Sequence, residues 1–323
     1  LTEELKAAKE GFDKALEHDQ QTNTVTIGRN TIWKREFEVL ESLARLNGTE
    51  IREVLHGIKS NESGQVLGLR LKNIVLSDIS LLTSLTALER IDFGQNPLAE
   101  TDTNKATLDT LKQQRCYVTG FVWPSECEKL ERLAAMNHCN SEDVLKGILG
   151  TEYGYVTMLT IEHKQLTDIT VLAELTALRG LYLKNNSIRE LPPLASLTEL
   201  RGLDLDGNNI SDISRLAELP DLEVLFLGRN KITDITPLAD LKALQGLILS
   251  QNQITDVTPL AGTTGLKTLS LDANPLSDIS PLAGLPVIEN LYLKEVSLKR
   301  TLENRSTISG LINQGCQIVG ALP

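Results

Sequence analysis

The chain has 323 residues, of which 41% are hydrophobic, and its 43 acidic side chains outnumber its 32 Lys and Arg to give a net charge of −11. Nucleic-acid binding needs a concentrated basic surface, so this balance argues against nucleic acid as the main partner. The sequence also holds no apolar run of about 18 residues, the length of a membrane-spanning helix. We therefore expect a soluble protein, cytoplasmic or secreted. Its natural start is expected to be missing, because the first residue is Leu1 rather than Met.

Residues 1–32 carry two patterns. Apolar side chains recur at helical spacing over residues 1–20 and predict an amphipathic helix; they are Leu5, Ala8, Phe12 and Leu16. The segment Thr24–Ile27 alternates between polar and apolar residues, which predicts a β-strand. We interpret residues 1–32 as an N-terminal helix and strand that form an edge coil or the remnant of an earlier module.

The rest of the chain is internally duplicated. Residues 33–98 align without gaps with residues 123–188, at an offset of 90. A second alignment relates residues 78–120 to residues 278–320, at an offset of 200. The difference between the offsets, 200 − 90 = 110, equals 5 × 22. The sequence therefore predicts two modules, residues 33–120 and 121–323, of which the second contains five more 22-residue units.

Each module begins and ends with helical patterns. A pair of helices is predicted at the start of each module. Ser141 is predicted to be the N-cap of the second helix of the second module. A further helix, followed by a short strand that contains a Cys, is predicted at each end. Stacked repeats expose apolar side chains at both ends of the stack, so we interpret these helices as caps. The predicted helices are residues 36–46, 50–58 and 104–114, then 126–136, 141–149 and 304–314.

Between the caps of the second module, the sequence repeats every 22 residues. The period is marked by Asn186, Asn208, Asn230, Asn252 and Asn274. The unit NKITDITPLADLKALQGLILSQ, residues 230–251, has the L-x-x-L-x-L spacing of leucine-rich repeats. Alternate residues of a strand face opposite sides, so the leucines point inward and the residue between them points outward. One coil cannot bury its own leucines, which predicts an α/β fold, a right-handed leucine-rich-repeat solenoid in two tandem capped modules with about seven coils in the second.

Three columns of the repeat are given a structural role. The stacked Asn side chains are predicted to pair with buried backbone groups of the turns. Thr236 is predicted to be the N-cap of a short 3₁₀ segment, with Pro237 in its first position. The third column is predicted to let successive backbones approach closely, and consists of Ala173, Ala195, Ala217, Ala239, Ala261 and Ala283.

The unit N-x-I-x-D-I-x-P-L-A-x-L-x-x-L-x-x-L-x-L resembles the 22-residue repeats of bacterial internalins and of SDS22-like phosphatase regulators. The resemblance covers about 140 residues of the second module and, more weakly, residues 69–98. It implies a bacterial repeat protein that binds other proteins through the concave parallel sheet of the solenoid.

The candidate partner-binding residues lie on this concave face. The outward position between the two leucines of a repeat is hydrophobic at Tyr182, Phe226, Ile248 and Tyr292 and acidic at Asp204. Lys184, Asp206 and Arg229 are predicted beside this column. Exposed aromatic residues are common at binding hot spots. The alternative is that these side chains only cover the sheet and contact one another across strands.

No catalytic or cofactor motif is found, so we expect a non-enzymatic protein without a cofactor. Asp204, Asp206 and Asn208 resemble part of a calcium loop, but Arg215 stands where the bidentate Glu is needed. This leaves only weak cation binding by the two aspartates as an alternative. Cys127, His138 and Cys139 lack paired metal-ligand spacing and are not predicted to bind zinc. All four cysteines are expected to be free thiols.

The sequence thus predicts a scaffold that binds a protein partner whose identity it does not reveal. Two alternatives from other classes stay open. One is a surface or adhesive module that binds glycan or a host protein. The other is a regulatory subunit of an enzyme such as a phosphatase.

Overall fold

The computed structural model describes residues 16–19, 23–71, 74, 76–94, 96 and 98–320. By compactness the chain divides into two units, residues 1–127 with 151–155 and residues 128–150 with 156–323. The predicted module boundaries at 32/33 and 120/121 remain predictions. Most of the predicted amphipathic helix, residues 1–15 and residue 20, lies outside the described residues. Its described part, Leu16–Asp19, forms a strand, so the helix prediction is wrong there.

The first unit opens with a three-stranded antiparallel sheet. Its strands are β1 (Leu16–Asp19), β2 (Thr24–Ile27) and β3 (Asn30–Trp33). The predicted strand at Thr24–Ile27 is confirmed, but it pairs antiparallel on both sides, unlike a coil of the repeat. The turn that joins β2 to β3 has only two residues, with Gly28 at φ 57°. A connection this short can join only antiparallel strands.

The remainder of the first unit has a helical start, a four-stranded sheet and a helical end. Its sheet has the order β4-β5-β6-β7, with β4 antiparallel to β5 and the other pairs parallel. A single apolar cluster, which includes Leu40, Leu69 and Ile91, fills the unit. The elements are α1 (Lys34–Leu46), α2 (Ile51–Leu55), β4 (Lys59–Ser60), β5 (Val66–Arg70), a 3₁₀ segment (Ser80–Ser84), β6 (Arg90–Asp92), α3 (Asp102–Gln113) and β7 (Tyr117–Thr119).

The second unit repeats this plan with five more strands. Its nine-stranded sheet runs in chain order from β8 to β16, and the pairs from β9 onward are parallel. The leucine-rich-repeat solenoid predicted from the sequence is therefore confirmed. The elements that build the sheet and its caps are α4 (Pro124–Met136), α5 (Ser141–Leu145), β8 (Ile148–Glu152), β9 (Tyr155–Thr160), β10 (Gly180–Tyr182), β11 (Gly202–Asp204), β12 (Val224–Phe226), β13 (Gly246–Ile248), β14 (Thr268–Ser270), β15 (Asn290–Leu293), α6 (Leu302–Asn313) and β16 (Gln317–Gly320).

The duplication extends to individual hydrogen bonds of the caps. In the start cap, Asn47 donates to the carbonyls of Leu43 and Asp78, and Asn137 donates to those of Leu133 and Asp168. In the end cap, Thr101 and Thr301 are N-caps that accept from the backbone N–H three residues later. The predicted pair of start helices is present in both copies, but the second helix of each pair ends at Leu55 or Leu145, and Ile148 and Leu149, which were predicted to be helical, lie in β8. The N-cap prediction at Ser141 is wrong, because the extended residue before it, Asn140, accepts the N–H groups of residues 142 and 143.

The side chain of each repeat Asn joins two neighbouring coils. In Asn230, Oδ1 accepts the N–H of Ile210 (3.0 Å) and Nδ2 donates to the carbonyl of Leu205 (3.0 Å). The Leu205 carbonyl also accepts from Asn208, so the asparagines of adjacent coils share an acceptor. The five asparagines are 3–8% exposed. Their predicted role in pairing the buried turn backbone is confirmed.

A second column follows the strands at the same 22-residue spacing, and its residues have a left-handed backbone. Their φ angles lie between 51° and 67°. From His163 to Ala273, each such N–H donates to a carbonyl of the next coil, as where Arg229 donates to the carbonyl of Ser250 (2.8 Å). This left-handed conformation costs most residues free energy, but it keeps the ladder of backbone hydrogen bonds between coils continuous. The column consists of His163, Asn185, Gly207, Arg229, Gln251, Ala273 and Glu295.

The 3₁₀ segments begin differently from the prediction. Thr236 is not the N-cap, since its own N–H donates to Oδ1 of Asp234 (2.8 Å), two residues earlier. The same bond recurs in other coils, but Glu190 replaces the Asp between β10 and β11, and no 3₁₀ segment forms there. In the coil that contains Glu190, the backbone N–H groups of Leu194 and Ala195 donate to the carboxylate of Glu218, which belongs to the next coil. The segments are Thr170–Glu174, Ser214–Glu218, Thr236–Leu238, Thr258–Gly262 and Ser280–Gly284.

The alanine column lies at the surface rather than between coils. Ala195, Ala217, Ala261 and Ala283 are exposed, and the other two alanines of the column are half-buried. The predicted role in close backbone packing is therefore not supported. A small side chain gives no packing advantage at a solvated position. The remaining physical reason for alanine is its good helix-forming propensity in a short return segment.

Candidate functional site

The candidate residues lie on the strand face, defined here as the outward side of β9–β16. Its central row holds one residue from each of β9–β15, and the parallel register places each beside the next. All are half-buried except Ser270, which is 5% exposed and whose Oγ lies 2.7 Å from that of Ser250. The row is Thr160, Tyr182, Asp204, Phe226, Ile248, Ser270 and Tyr292.

Only two of the predicted hydrophobic residues are neighbours. Phe226 and Ile248 are cross-strand partners, and Val224, two residues before Phe226 on the same strand, is 37% exposed. We name Val224, Phe226 and Ile248 the apolar patch. The sequence analysis missed Val224, although the two-residue period of a strand places it on the same face as Phe226. The patch is therefore wider along the strand than the single column that was predicted.

The two predicted tyrosines lie apart from this patch. Tyr182 is separated from Phe226 by Asp204, and its ring lies over Gly180, where a Cβ would be 3.2 Å from ring atoms. Tyr292 lies beyond Ser270 and pairs with Val319 of the last strand, which is 37% exposed. The structure thus does not bring all four hydrophobic candidates together.

A charged cluster borders the apolar patch. Asp206 is 17% exposed and accepts from the guanidinium of Arg229 (2.7 Å), while the ammonium of Lys184 lies 3.8 Å away. Gly228 leaves room for this carboxylate, because a Cβ there would overlap Oδ1 of Asp206. Lys184, Asp206 and Arg229 were predicted separately from the sequence, and the structure joins them into one ion-pair cluster.

The profile of the family "Leucine Rich repeats (2 copies)" matches residues 176–218, 198–240 and 242–284. Internalin C2 from Listeria monocytogenes is 31% identical, over 61% of this chain and 93% of the internalin chain, with a TM-score of 0.44. The chain is an internalin-like leucine-rich-repeat protein. Such scaffolds are typical of protein–protein interaction.

Two more distant structures share the repeat. A second Listeria monocytogenes internalin, inlF, is 22% identical over 88% of this chain and 89% of its own, with a TM-score of 0.47. A leucine-rich-repeat protein from Leptospira interrogans is also 22% identical, over 77% of this chain and 59% of its own, with a TM-score of 0.48. No curated protein matches this leucine-rich-repeat chain. Among its described residues, no helix has both the length and the apolar character needed to cross a membrane.

The acidic pair of this leucine-rich-repeat protein lacks the surroundings of a cation site. Asp204 accepts the N–H of Asp206 (2.9 Å), and burial raises the pKa of its carboxyl. Asp206 already faces two cationic side chains. No group of three or more His, Cys, Asp or Glu residues arranged for a metal occurs in the described part of the chain. The geometry therefore does not support the weak cation binding that the sequence left open.

The cysteines have structural positions. Cys116 and Cys316 are buried, at equivalent places in the two end caps, and none of the four cysteines forms a disulfide within the described residues. Burial raises the pKa of the Cys116 thiol to about 11. A thiol with so high a pKa is a poor nucleophile, since the thiolate is the reactive form.

Proposed function

We propose that this leucine-rich-repeat protein is a non-enzymatic scaffold that binds a protein partner through the strand face of its second unit. The apolar patch carries the proposal. Val224, Phe226 and Ile248 are adjacent and reachable from solvent, and the ion-pair cluster around Asp206 borders them. An apolar centre with a polar rim is the usual anatomy of a protein-binding surface.

Phe226 is the expected hot spot within the patch. Aromatic residues near the centre of an interface often cost about 2 kcal/mol or more when truncated. Asp204 and Ile248 flank it across the strands. Lys184 and Arg229 retain 39% and 45% exposure beside their shared carboxylate, so each can also contact an acidic group of a partner. Tyr182 and Tyr292 extend the surface on either side.

The test compares a patch variant with a matched control. The patch variant combines Val224→Thr, Phe226→Ser and Ile248→Thr. Other strands of the same sheet already carry Thr or Ser at the corresponding outward positions, such as Thr268 and Ser270. The changes are therefore compatible with the fold, which circular dichroism verifies. The variant should lose at least about tenfold in affinity for the native partner, since two to three apolar contacts disappear.

The control removes exposed apolar area elsewhere. It combines Val287→Thr, Leu302→Ala and Ile312→Ala, at positions that are 45%, 80% and 48% exposed and are not on the strand face. Proteins captured from native lysate by wild type and control, but not by the patch variant, would support the proposal. Equal capture by the patch variant would refute it. Capture of an oligosaccharide on a glycan array, with no protein retained, would instead favour an adhesive module.

A further inference from the structure

The outward side of the first unit's four-stranded sheet has a different chemistry. The register aligns Lys59, Gly68, Arg90 and Tyr117 in one row across β4–β7. Arg70, two residues beyond Gly68, pairs with Asp92 in the next row. An open depression of about 460 Å³ with glycine in its floor is lined by all of these residues except Tyr117. We name Lys59, Gly68, Arg70 and Arg90 the basic depression.

The cations of the basic depression are available to a ligand. Arg70 is 60% exposed and uses Nε for its ion pair with Asp92 (3.1 Å). A guanidinium has further N–H donors on its two Nη atoms. Lys59 and Arg90 are exposed, and neither forms an ion pair with any described residue. The guanidinium of Arg90 lies 5.8 Å from the ring centroid of Tyr117, a contact that holds it against the sheet.

The second unit provides an internal comparison, because it is the same module at an offset of 90. Its start cap keeps the same hydrogen bonds, as Asn47 and Asn137 show. Every member of the basic depression is nonetheless replaced in the second copy. The fold can thus form without these charges, so packing does not explain their presence in the first copy. The residues at the equivalent positions are Leu149, Met158, Thr160 and Gly180.

We propose that the basic depression binds an acidic peptide segment of a partner protein. One carboxylate lies over Gly68, between Lys59 and Arg90, where no side chain fills the row. A Cβ at Gly68 would be 3.5 Å from that of Lys59, so the gap is bounded by the two flanking strands. A second carboxylate contacts Arg70. Positions 68 and 70 are two residues apart, about 6.6 Å, which equals the spacing of Glu residues in an extended Glu-x-Glu segment.

The charge balance favours a peptide over a dense polyanion. The depression is lined by three cations but also by Glu89 and Asp92, so 3 − 2 leaves a net charge of +1. The chain as a whole carries −11, which repels a densely charged sulfated glycan or anionic membrane more strongly than a peptide with a few carboxylates. A segment with alternating carboxylates needs only the local cations. This site goes beyond the binding proposed for the strand face, because it lies in the first unit and would bind an acidic segment rather than an apolar surface.

The test uses a fluorescein-labelled peptide of four Glu-Ser repeats, with four Gln-Ser repeats as the uncharged control, in fluorescence anisotropy at low ionic strength. The swap variant of the full chain combines Lys59→Leu, Arg70→Thr and Arg90→Gly, the residues that the second copy carries. A charge-matched variant combines Arg45→Leu, Arg52→Thr and Arg115→Gly, also in the first unit. The swap should weaken binding of the acidic peptide at least about tenfold, from three lost ion contacts, and the charge-matched variant about twofold or less.

Each outcome decides the proposal. Binding of the Glu-Ser peptide that the swap variant loses and that added salt weakens supports it. Equal binding by wild type and swap variant overturns it, as does a wild type that binds neither peptide. Binding of heparin or phosphatidylserine vesicles without the peptide overturns the assignment to a peptide. The apolar-patch variant should bind the Glu-Ser peptide as wild type does, so failure of the strand-face proposal is distinguishable from failure of this one.

Discussion

Replacing Asn230 by alanine tests whether the asparagine ladder stabilises the stack of coils. The side chain lies in the middle of the second unit and is 8% exposed. Its amide donates to the carbonyls of Leu205 (3.0 Å), Leu227 (3.1 Å) and Gly228 (3.1 Å) and accepts the N–H of Ile210 (3.0 Å). Alanine removes these bonds and adds no partner, so the cost for each of the four backbone groups depends on the hydrogen bonds that it keeps.

The loss of the amide costs these four backbone groups unequal amounts of free energy. The N–H of Ile210 loses its partner in the described part of the chain, and an orphaned buried N–H costs about 1–3 kcal/mol. The three carbonyls keep one bond each, Leu205 from Asn208, Leu227 from Asn252 and Gly228 from Gly207, so the two N–H donors of the lost amide account for only about 0.5–1 kcal/mol each. The expected loss of unfolding free energy is therefore about 2–5 kcal/mol, a large share of the stability of a typical domain.

Urea unfolding followed by far-ultraviolet circular dichroism measures this loss. Asn209→Ala is the control, because it removes the same atoms from a half-buried side chain that follows Asn208 in the previous coil and lies outside the ladder. It should change the unfolding free energy by less than about 0.5 kcal/mol. If Asn230→Ala were as stable as this control, water would replace the amide at no net cost. The ladder would then pair the backbone without stabilising the fold, and our reasoning would be refuted.

Three further predictions concern single positions in the second unit. Ala273→Gly should stabilise the protein by about 0.5–1 kcal/mol, since φ is 51° there and glycine avoids the left-handed penalty, whereas Ala261→Gly in a 3₁₀ segment should destabilise it by a similar amount in thermal unfolding. The hydroxyl and N–H of Thr236 lower the pKa of the Asp234 carboxyl. The Asp234 carboxylate therefore contributes to stability above the usual aspartate pKa, and this contribution is lost as pH falls through the lowered value. In urea unfolding at a series of pH values, Asp234→Asn should reduce the fall of unfolding free energy at acid pH, and an unchanged fall would contradict this. Gly228→Ala should cost at most about 1 kcal/mol in urea unfolding, because only the end of a surface carboxylate must rotate, but it should abolish the salt dependence of stability that comes from the ion pairs of that carboxylate.

The sequence predicted the repeating parts of the fold well because their causes are local and periodic. The leucines between Leu203 and Leu291 are buried where the period requires, and the ladder of Asn side chains pairs the turns as expected. The duplication at offsets of 90 and 200 located both sets of caps. Regular burial of this kind depends only on residue type and spacing, both of which a sequence displays.

Local choices between similar residues were predicted less well. Asn140 and Ser141 are both good N-cap residues, and only the extended backbone of Asn140 shows which one caps α5. Asp234 and Thr236 are alternatives of the same kind, and the Asp accepts the bond. The segment Leu16–Asp19 was read as the end of a helix, yet it pairs with β2. Pairing with a neighbouring strand overrides helical spacing, since backbone hydrogen bonds depend on partners that lie elsewhere in the chain.

The amino-acid sequence alone determined that this chain folds as a stack of 22-residue coils, because leucines at that spacing can be buried only by neighbouring coils. The tertiary structure decided which outward side chains meet: Val224 with Phe226 and Ile248, and Arg229 with Lys184 around Asp206. Phe226 and Ile248 come from different coils, as do Lys184, Asp206 and Arg229, and which side chains touch depends on rotamers and on the space left by glycines such as Gly228. A repeat pattern specifies the inside of the stack, whereas the ion pairs on its outward side depend on side-chain conformations that no period encodes.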